Sequence, residues 1–330
     1  MQMTDKIRIA LVGCLLLIVC CGCSRTQEVE IKTDRLEQTL FSIPLDSLPA
    51  AIPALQQHYG ALFELYNQSI LAIGSSDDPQ YPQRLVGFLT DPHIHAAYRK
   101  VMERYPDVAD LDRQLSAAFT EYHRQFPARA IPSVYTLISG FNQSMIVDEG
   151  ILAISLDKYL GTDEEFYSRL DIPLYQRRLM DKAHIVPDCM KAIAYTDYPD
   201  TDTVNNVLSN ILYEGKIACF VRRMLPDTPD SLIFGYTAEQ LKWCKNNTRQ
   251  MWTYLVEKKM LYRTDYMMIS KLVGPAPFTS LFTREAPGRA SVWIGCQIIE
   301  SYMKHSNQSL EEMMMNNDWL NILNEAKFKP

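Results

Sequence analysis

The sequence predicts an α+β fold, predominantly helical, with one small sheet. Two observations carry that reading. Strand texture is concentrated near the middle, where residues 133–139 and 145–156 read as strand, turn, strand around residues 140–143. From residue 185 onward, apolar residues recur at helical spacing in one segment after another, and strands followed by many helices give α+β rather than a doubly wound sheet.

The elements follow in order. Lys6 and Arg8 form a positive start, and residues 9–19 are an apolar core too short to span a bilayer at helical rise. That core ends in Cys20-Cys21-Gly22-Cys23. Lipoprotein processing needs a small residue directly before a cysteine: Gly22 fits the peptidase subsite, and the Cys23 thiol takes the diacylglyceryl group. Cys20 occupies the −3 position where leucine is usual, which leaves Cys21 as the alternative site of modification. The expected organisation is therefore a signal peptide over 1–22, a lipidated tether over 23–30 and a globular domain over 31–330. Ser24 and Arg25 follow the cysteine in place of Asp, which favours the outer membrane and a periplasm-facing position.

Residues 28–33 alternate like a short strand, and 34–41 read as a helix capped by Thr33 or Asp34. Residues 48–74 and 94–126 carry helical periodicity, separated by the turn-rich stretch 75–79. Residues 161–165 open a further helix with acidic side chains at its positive end. Later helices are expected near 185–195, 202–224, 237–257, 289–303 and 310–326, punctuated by Pro226, Pro229, Pro275, Pro277 and Pro287.

Composition excludes some functions. A net charge of −6 with no basic cluster argues against a nucleic-acid partner. Beyond the signal region Cys189, Cys219, Cys244 and Cys296 remain, with no C-x-x-C pair to hold zinc. An exported chain permits disulfides, but four cysteines allow three pairings. Cys219 and Cys296 sit inside helical patterns, where a buried free thiol is the commoner state.

The candidate site residues lie in two places. In the helix expected to start at Asp202, the apolar stripe runs Val204, Val207, Ile211, Ala218, Val221, and Glu214 falls on it. A carboxylate on a core-facing stripe is costly unless it is paired with a cation or bound to a metal. Gly215 beside it allows close packing. The second place is Pro287-Gly288-Arg289 leading to Trp293 and Gly295, a turn into a helix with two small residues for tight contact. Arg289 near a helix start opposes the dipole, so it needs a carboxylate; Glu214 and Glu300 are the candidates. His93, His95 and His123 read as surface histidines, and no H-E-x-x-H, G-x-S-x-G or phosphate loop occurs.

In motif order the chain resembles the gliding-motility lipoprotein GldB family of Bacteroidetes over essentially its whole length. The residues are Arg35-Leu36-Glu37-Gln38-Thr39-Leu40-Phe41, His58-Tyr59-Gly60, Ser139-Gly140-Phe141, Glu214-Gly215-Lys216, Gly235-Tyr236-Thr237, Trp252, Pro287-Gly288-Arg289, Trp293-Ile294-Gly295 and the terminal Lys327-Phe328-Lys329-Pro330. The resemblance implies a lipoprotein acting with the gliding and protein-secretion apparatus. It implies protein partners in the envelope, a membrane attachment through lipid, and no catalytic residue to carry over. It also implies a layout similar to zincin-type zinc peptidases, in which an H-E-x-x-H helix precedes a helix carrying a ligand glutamate in Glu-Gly-x-Ala. Glu214-Gly215 followed by Ala218 resembles that second helix, but the segment Val186-Pro187-Asp188-Cys189-Met190-Lys191-Ala192 has none of the first helix's ligands. The expectation is thus a zincin-like, non-catalytic interaction protein with no cofactor and no bound metal, Glu214 and Arg289 forming a buried pair or a vestigial site. Two alternatives remain open: a metallohydrolase using His184, Glu214 and a third group, and a glycan-binding lipoprotein drawing on the 18 tyrosines and 4 tryptophans.

Replacing Cys23 by Ala should leave an uncut or soluble form that takes up no lipid label. Mass spectrometry that places the acyl group on Cys21, or on neither cysteine, would overturn the anchor.

Overall fold

A computed structural model describes residues 28–201 and 204–330. The signal region and Cys23 therefore lie outside the described residues, as does Asp202. Within them runs a four-stranded sheet of order β1-β2-β4-β3, from β1 (Asp34–Arg35), β2 (Ser133–Leu137), β3 (Met145–Asp148) and β4 (Ile151–Ser155). The first three strands in that order are parallel, and β3 runs antiparallel at the edge.

The expected long strand over 145–156 is split into a hairpin. Asp148-Glu149-Gly150 makes the turn, with Gly150 at φ +70°. β4 then pairs with β2 in parallel, and β3 lies on its far side. Every residue of β4 is buried, as a strand covered on both faces must be. Val134, Leu152 and Ile154 face one large core, while Ile151, Ala153 and Leu137 face a smaller one built by the N-terminal helices.

The strand expected over 28–33 does not form, yet its alternation has a cause. The backbone N–H groups of Val29, Ile31 and Thr33 donate to Thr120 Oγ1 (2.9 Å), Ser116 Oγ (2.9 Å) and Asp112 Oδ1 (3.0 Å). These acceptors stand four residues apart on a helix, so the extended segment runs along a polar helical stripe instead of a neighbouring strand. Neither Thr33 nor Asp34 caps the next helix. Asp34 and Arg35 are held in β1, and the Asp34 carboxylate meets His58 Nε2 (2.6 Å) and Tyr59 Oη (3.1 Å).

The helices before the sheet's main strands are α1 (Leu36–Ser42), α2 (Leu48–Tyr59), α3 (Ala61–Leu65), α4 (Tyr81–Thr90), α5 (Pro92–Arg104) and α6 (Ala109–Gln125). The periodic stretch 48–74 is broken at Gly60, φ +51°, and α4 fills sequence that carried no expected element. After the sheet come α7 (Glu165–Arg169), α8 (Leu174–Arg177), α9 (Ile185–Asp197), α10 (Val207–Met224), α11 (Asp230–Phe234), α12 (Ala238–Glu257) and α13 (Tyr266–Val273). The chain ends in α14 (Ala290–His305), α15 (Leu310–Met315) and α16 (Trp319–Ala326), so the single last helix expected over 310–326 is two.

α10 starts later than the periodicity suggests. Asn206 caps it, its Oδ1 accepting the Ser209 N–H (2.9 Å) while Ser209 Oγ accepts the Asn206 N–H (3.0 Å). Val204 falls before the helix and is exposed, whereas Val207, Ile211, Ala218 and Val221 are buried as the stripe requires.

The Ser139-Gly140-Phe141 turn has a defined job. Gly140 and Phe141 both adopt left-handed backbone, φ +67° and +66°, which turns the Ser139 and Phe141 N–H groups onto the fully buried Asp157 carboxylate (3.2 and 2.7 Å). Asp157 stands two residues after β4, so this carboxylate ties the ends of the parallel strands β2 and β4. Burial pushes its carboxyl up to about 6, because desolvation outweighs those hydrogen bonds. A raised carboxyl favours the protonated folded state, so its stabilisation is complete below the ordinary 3.8 and is lost as pH rises through about 6. Urea unfolding at several pH values should therefore show wild type losing up to about 3 kcal/mol relative to Asp157→Asn between pH ~4 and ~7. A flat difference across that window would sink this assignment.

Candidate functional site

The candidate residues converge where α9, α10 and α14 meet. α10 and α14 touch backbone to backbone. A methyl group on Gly295 would lie 1.9 Å from the Ile211 carbonyl oxygen, and one on Gly215 would lie 2.3 Å from the Gly295 carbonyl carbon. No larger residue fits either place without moving a helix.

That contact sets Glu214 beside the start of α14, where the Arg289 guanidinium forms an ion pair with Glu214 Oε2. Glu300, the other sequence candidate, pairs instead with Arg222. Arg289 is the N-cap residue of α14, in left-handed backbone at φ +60°, and its side chain makes no cap bond. The cap comes from another segment: Thr279 Oγ1 accepts the Ala290 N–H (3.0 Å) and donates to the Pro287 carbonyl (2.7 Å). Gly288 is forced by the same clamp, since a Cβ there would sit 1.8 Å from the Ala276 carbonyl oxygen. Trp293, one turn into α14, donates from Nε1 to Thr248 Oγ1 (2.9 Å) and packs edge-on to Phe234.

The pair is half-buried rather than sealed: the side chains of Arg289 and Glu214 are 34% and 19% exposed. Arg289 Nε also donates to the Val273 carbonyl (2.8 Å), and Tyr195 Oη donates to Glu214 Oε2 (2.7 Å). Burial alone would lower the Arg289 pKa, but Glu214, Tyr195 and Tyr236 together outweigh it and hold the guanidinium above its usual range. Burial, with Glu214 beside it, pushes the Tyr195 phenol up. Above the pair opens a groove of about 330 Å³ lined by Tyr175, His184, Lys191, Tyr236, Pro277 and Arg289. Burial lowers the His184 pKa, so its ring favours the neutral form.

Tyr195, Lys191 and Thr279 were not singled out from sequence. The first two could have been. His184, Asp188, Lys191 and Tyr195 stand at i, i+4, i+7 and i+11, which is one helical face. Thr279 left no signal, because its role depends on a fold-back between two loops. Among the described residues, the His, Cys, Asp and Glu side chains close enough to share one cation are Cys219, Cys296 and Glu300, a set that does not include Glu214.

Glu214→Gln and Arg289→Met should each cost about 1–3 kcal/mol, less than a sealed pair because water reaches both groups. Arg289→Met should be the worse, since it also strands the Val273 carbonyl. The double variant should lose clearly less than the sum. Denaturant titration of the four proteins measures this, and additive losses would mean the two charges are not coupled.

A model of the family described as gliding motility protein GldB matches residues 23–330. No curated protein and no solved structure matches the chain significantly. Matched over nearly all of its length, this chain belongs to the gliding motility protein GldB family.

Proposed function

We propose that the protein is a lipid-anchored accessory component of the gliding and protein-secretion apparatus, facing the periplasm from the outer membrane, and that it works by protein contacts rather than catalysis. Family membership supports an envelope lipoprotein with a role in gliding motility. In this reading the attachment is lipid on Cys23, which follows the small residue Gly22; among the described residues, no helix is long and apolar enough to cross a membrane. Residues 31–330 act as one domain in this reading, since the two cores share the faces of one sheet.

One observation carries the non-catalytic part: Glu214 is already spent. Its carboxylate pairs with Arg289 and accepts a hydrogen bond from the Tyr195 hydroxyl. α9 packs on α10, the helix order of a zincin-like layout, but its residues beside Glu214 are Lys191 and Tyr195. A lysine there brings positive charge where a zinc site would place ligands. A zinc hydrolase needs three protein ligands and a base, and this corner offers one carboxylate already neutralised. Protein contact has its own support. Tyr262, Tyr266 and Met267, within six residues of one another, are 60–75% exposed and offer apolar side chains to a partner.

Full-length protein purified without chelator should contain no stoichiometric zinc, and a chelator should leave its melting temperature unchanged. A photo-crosslinker at Tyr266 in native cells should capture a component of the motility or secretion apparatus. Zinc that is bound at one per chain and lost in Glu214→Gln would replace this reading with the metallohydrolase.

A further inference from the structure

The helix pair that builds the candidate site also brings two thiols together on its other side. Cys219 lies one turn beyond Gly215 on α10, and Cys296 follows Gly295 on α14. Packed helices ordinarily keep their axes about 8–10 Å apart, whereas a disulfide needs Cα atoms about 4.4–6.8 Å apart. Here the two glycines remove that spacing, and the Sγ atoms of Cys219 and Cys296 stand 3.0 Å from each other. Cys189 and Cys244 are placed differently. Each is buried, the first against Met145 Sδ (3.8 Å) and the second beside Tyr236.

The surroundings are also built. Arg222 donates to Cys296 Sγ (3.3 Å) and is held by Asp230 (2.9 Å) and by Glu300. Cys296 is fully buried, but Cys219 lines a groove of about 460 Å³ together with Arg222, Arg223, Glu300 and Lys304. Cys219 is itself buried, at the wall of this groove, and Cys296 lies next to a fixed positive charge.

We propose that Cys219 and Cys296 are joined by a disulfide that staples α10 to α14 in the mature protein. The proposal rests on the envelope location, because such bonds persist in oxidising compartments. The oxidant is a disulfide of the envelope, either on a protein or on a small thiol compound. Cys219 loses its proton to water and attacks one sulfur of that disulfide, releasing the other sulfur as a thiolate that takes up a proton. Cys296 then gives its proton to water and attacks Cys219 Sγ. The new S–S bond forms as the mixed disulfide breaks, and the second thiolate leaves and is protonated. Two cysteine thiols lose two electrons in all, and the oxidant's disulfide gains them.

The same atoms together with Glu300 lie within 4.8 Å of one another, which is the geometry of a cation site. The charges favour the disulfide. Arg222 already neutralises Glu300 and would repel a metal at Cys296. Burial holds the Cys219 thiol well above its usual pKa, and a metal needs both thiols ionised together, whereas exchange ionises one at a time.

The test uses full-length protein from native membranes, trapped with excess alkylating reagent under denaturing conditions and mapped by mass spectrometry with and without reduction. The expected map has Cys189 and Cys244 alkylated directly, and Cys219 and Cys296 recovered as one linked peptide pair that is alkylated only after reduction. Reductant should lower the melting temperature of wild type and leave that of Cys219→Ser unchanged. Alkylation of all four cysteines without reduction, or linkage to Cys189 or Cys244, overturns the proposal. So does zinc retained in wild type and lost in Cys219→Ser. The same map reports acylation of Cys23, so a reduced pair in an acylated chain refutes the staple while leaving the envelope location intact.

Discussion

The structure depends on one contact: the backbone-to-backbone crossing of α10 and α14 at Gly215 and Gly295. Side chains normally hold two helices apart, and their removal here lets main-chain atoms meet and fixes register to within a fraction of a turn. Three consecutive residues of α10 then take three different roles. Glu214 points to the start of α14 and meets Arg289. Gly215 makes the crossing. Lys216, almost wholly buried, points the other way to the end of α15, where it donates to the carbonyls of Met314 (3.4 Å) and Asn316 and lies over the Trp319 ring. A cation at the carbonyl end of a helix is favourable, and the aromatic face adds to it.

Charge inside this protein is handled by local supply of partners. Glu37 is buried between Arg35 Nε (2.7 Å) and Thr136 Oγ1 (2.9 Å), linking α1 to β2. Desolvation still outweighs those partners and raises its pKa. Asp157 is held by backbone amides instead of a cation. In both cases the carboxylate joins segments far apart in sequence, so each costs desolvation and contributes geometry. The Glu214–Arg289 pair is the exposed member of this set. Water reaches it from the groove, which makes it cheaper to keep and less decisive for stability than a sealed pair.

The glycan-binding alternative draws on aromatic content, but much of that content is structural. Tyr66, Tyr81, Tyr159, Tyr167 and Tyr302 are fully buried, and the Tyr122, Phe126 and Phe220 rings pack on one another. Counting tyrosines cannot separate rings that build a core from rings that meet a ligand, because both are written with the same letter.

Local patterning determined what depends on neighbours along the chain. The helical stripe of α10 placed Glu214 among Ile211, Ala218 and Val221, and a carboxylate there required a partner. Pro287-Gly288 announced the turn into α14, and periodicity placed the helix over 237–257 that α12 forms. What depends on distant segments was decided by the fold. Val29, Ile31 and Thr33 alternate because a helical stripe of Asp112, Ser116 and Thr120 accepts their hydrogen bonds. Residues 145–156 became a hairpin because β4 found β2 in parallel. The choice of Glu214 over Glu300 for Arg289, and the meeting of Cys219 with Cys296 among four cysteines, follow from the register of two helices. That register is set by close contact between residues some eighty positions apart, and no periodicity within either helix encodes it.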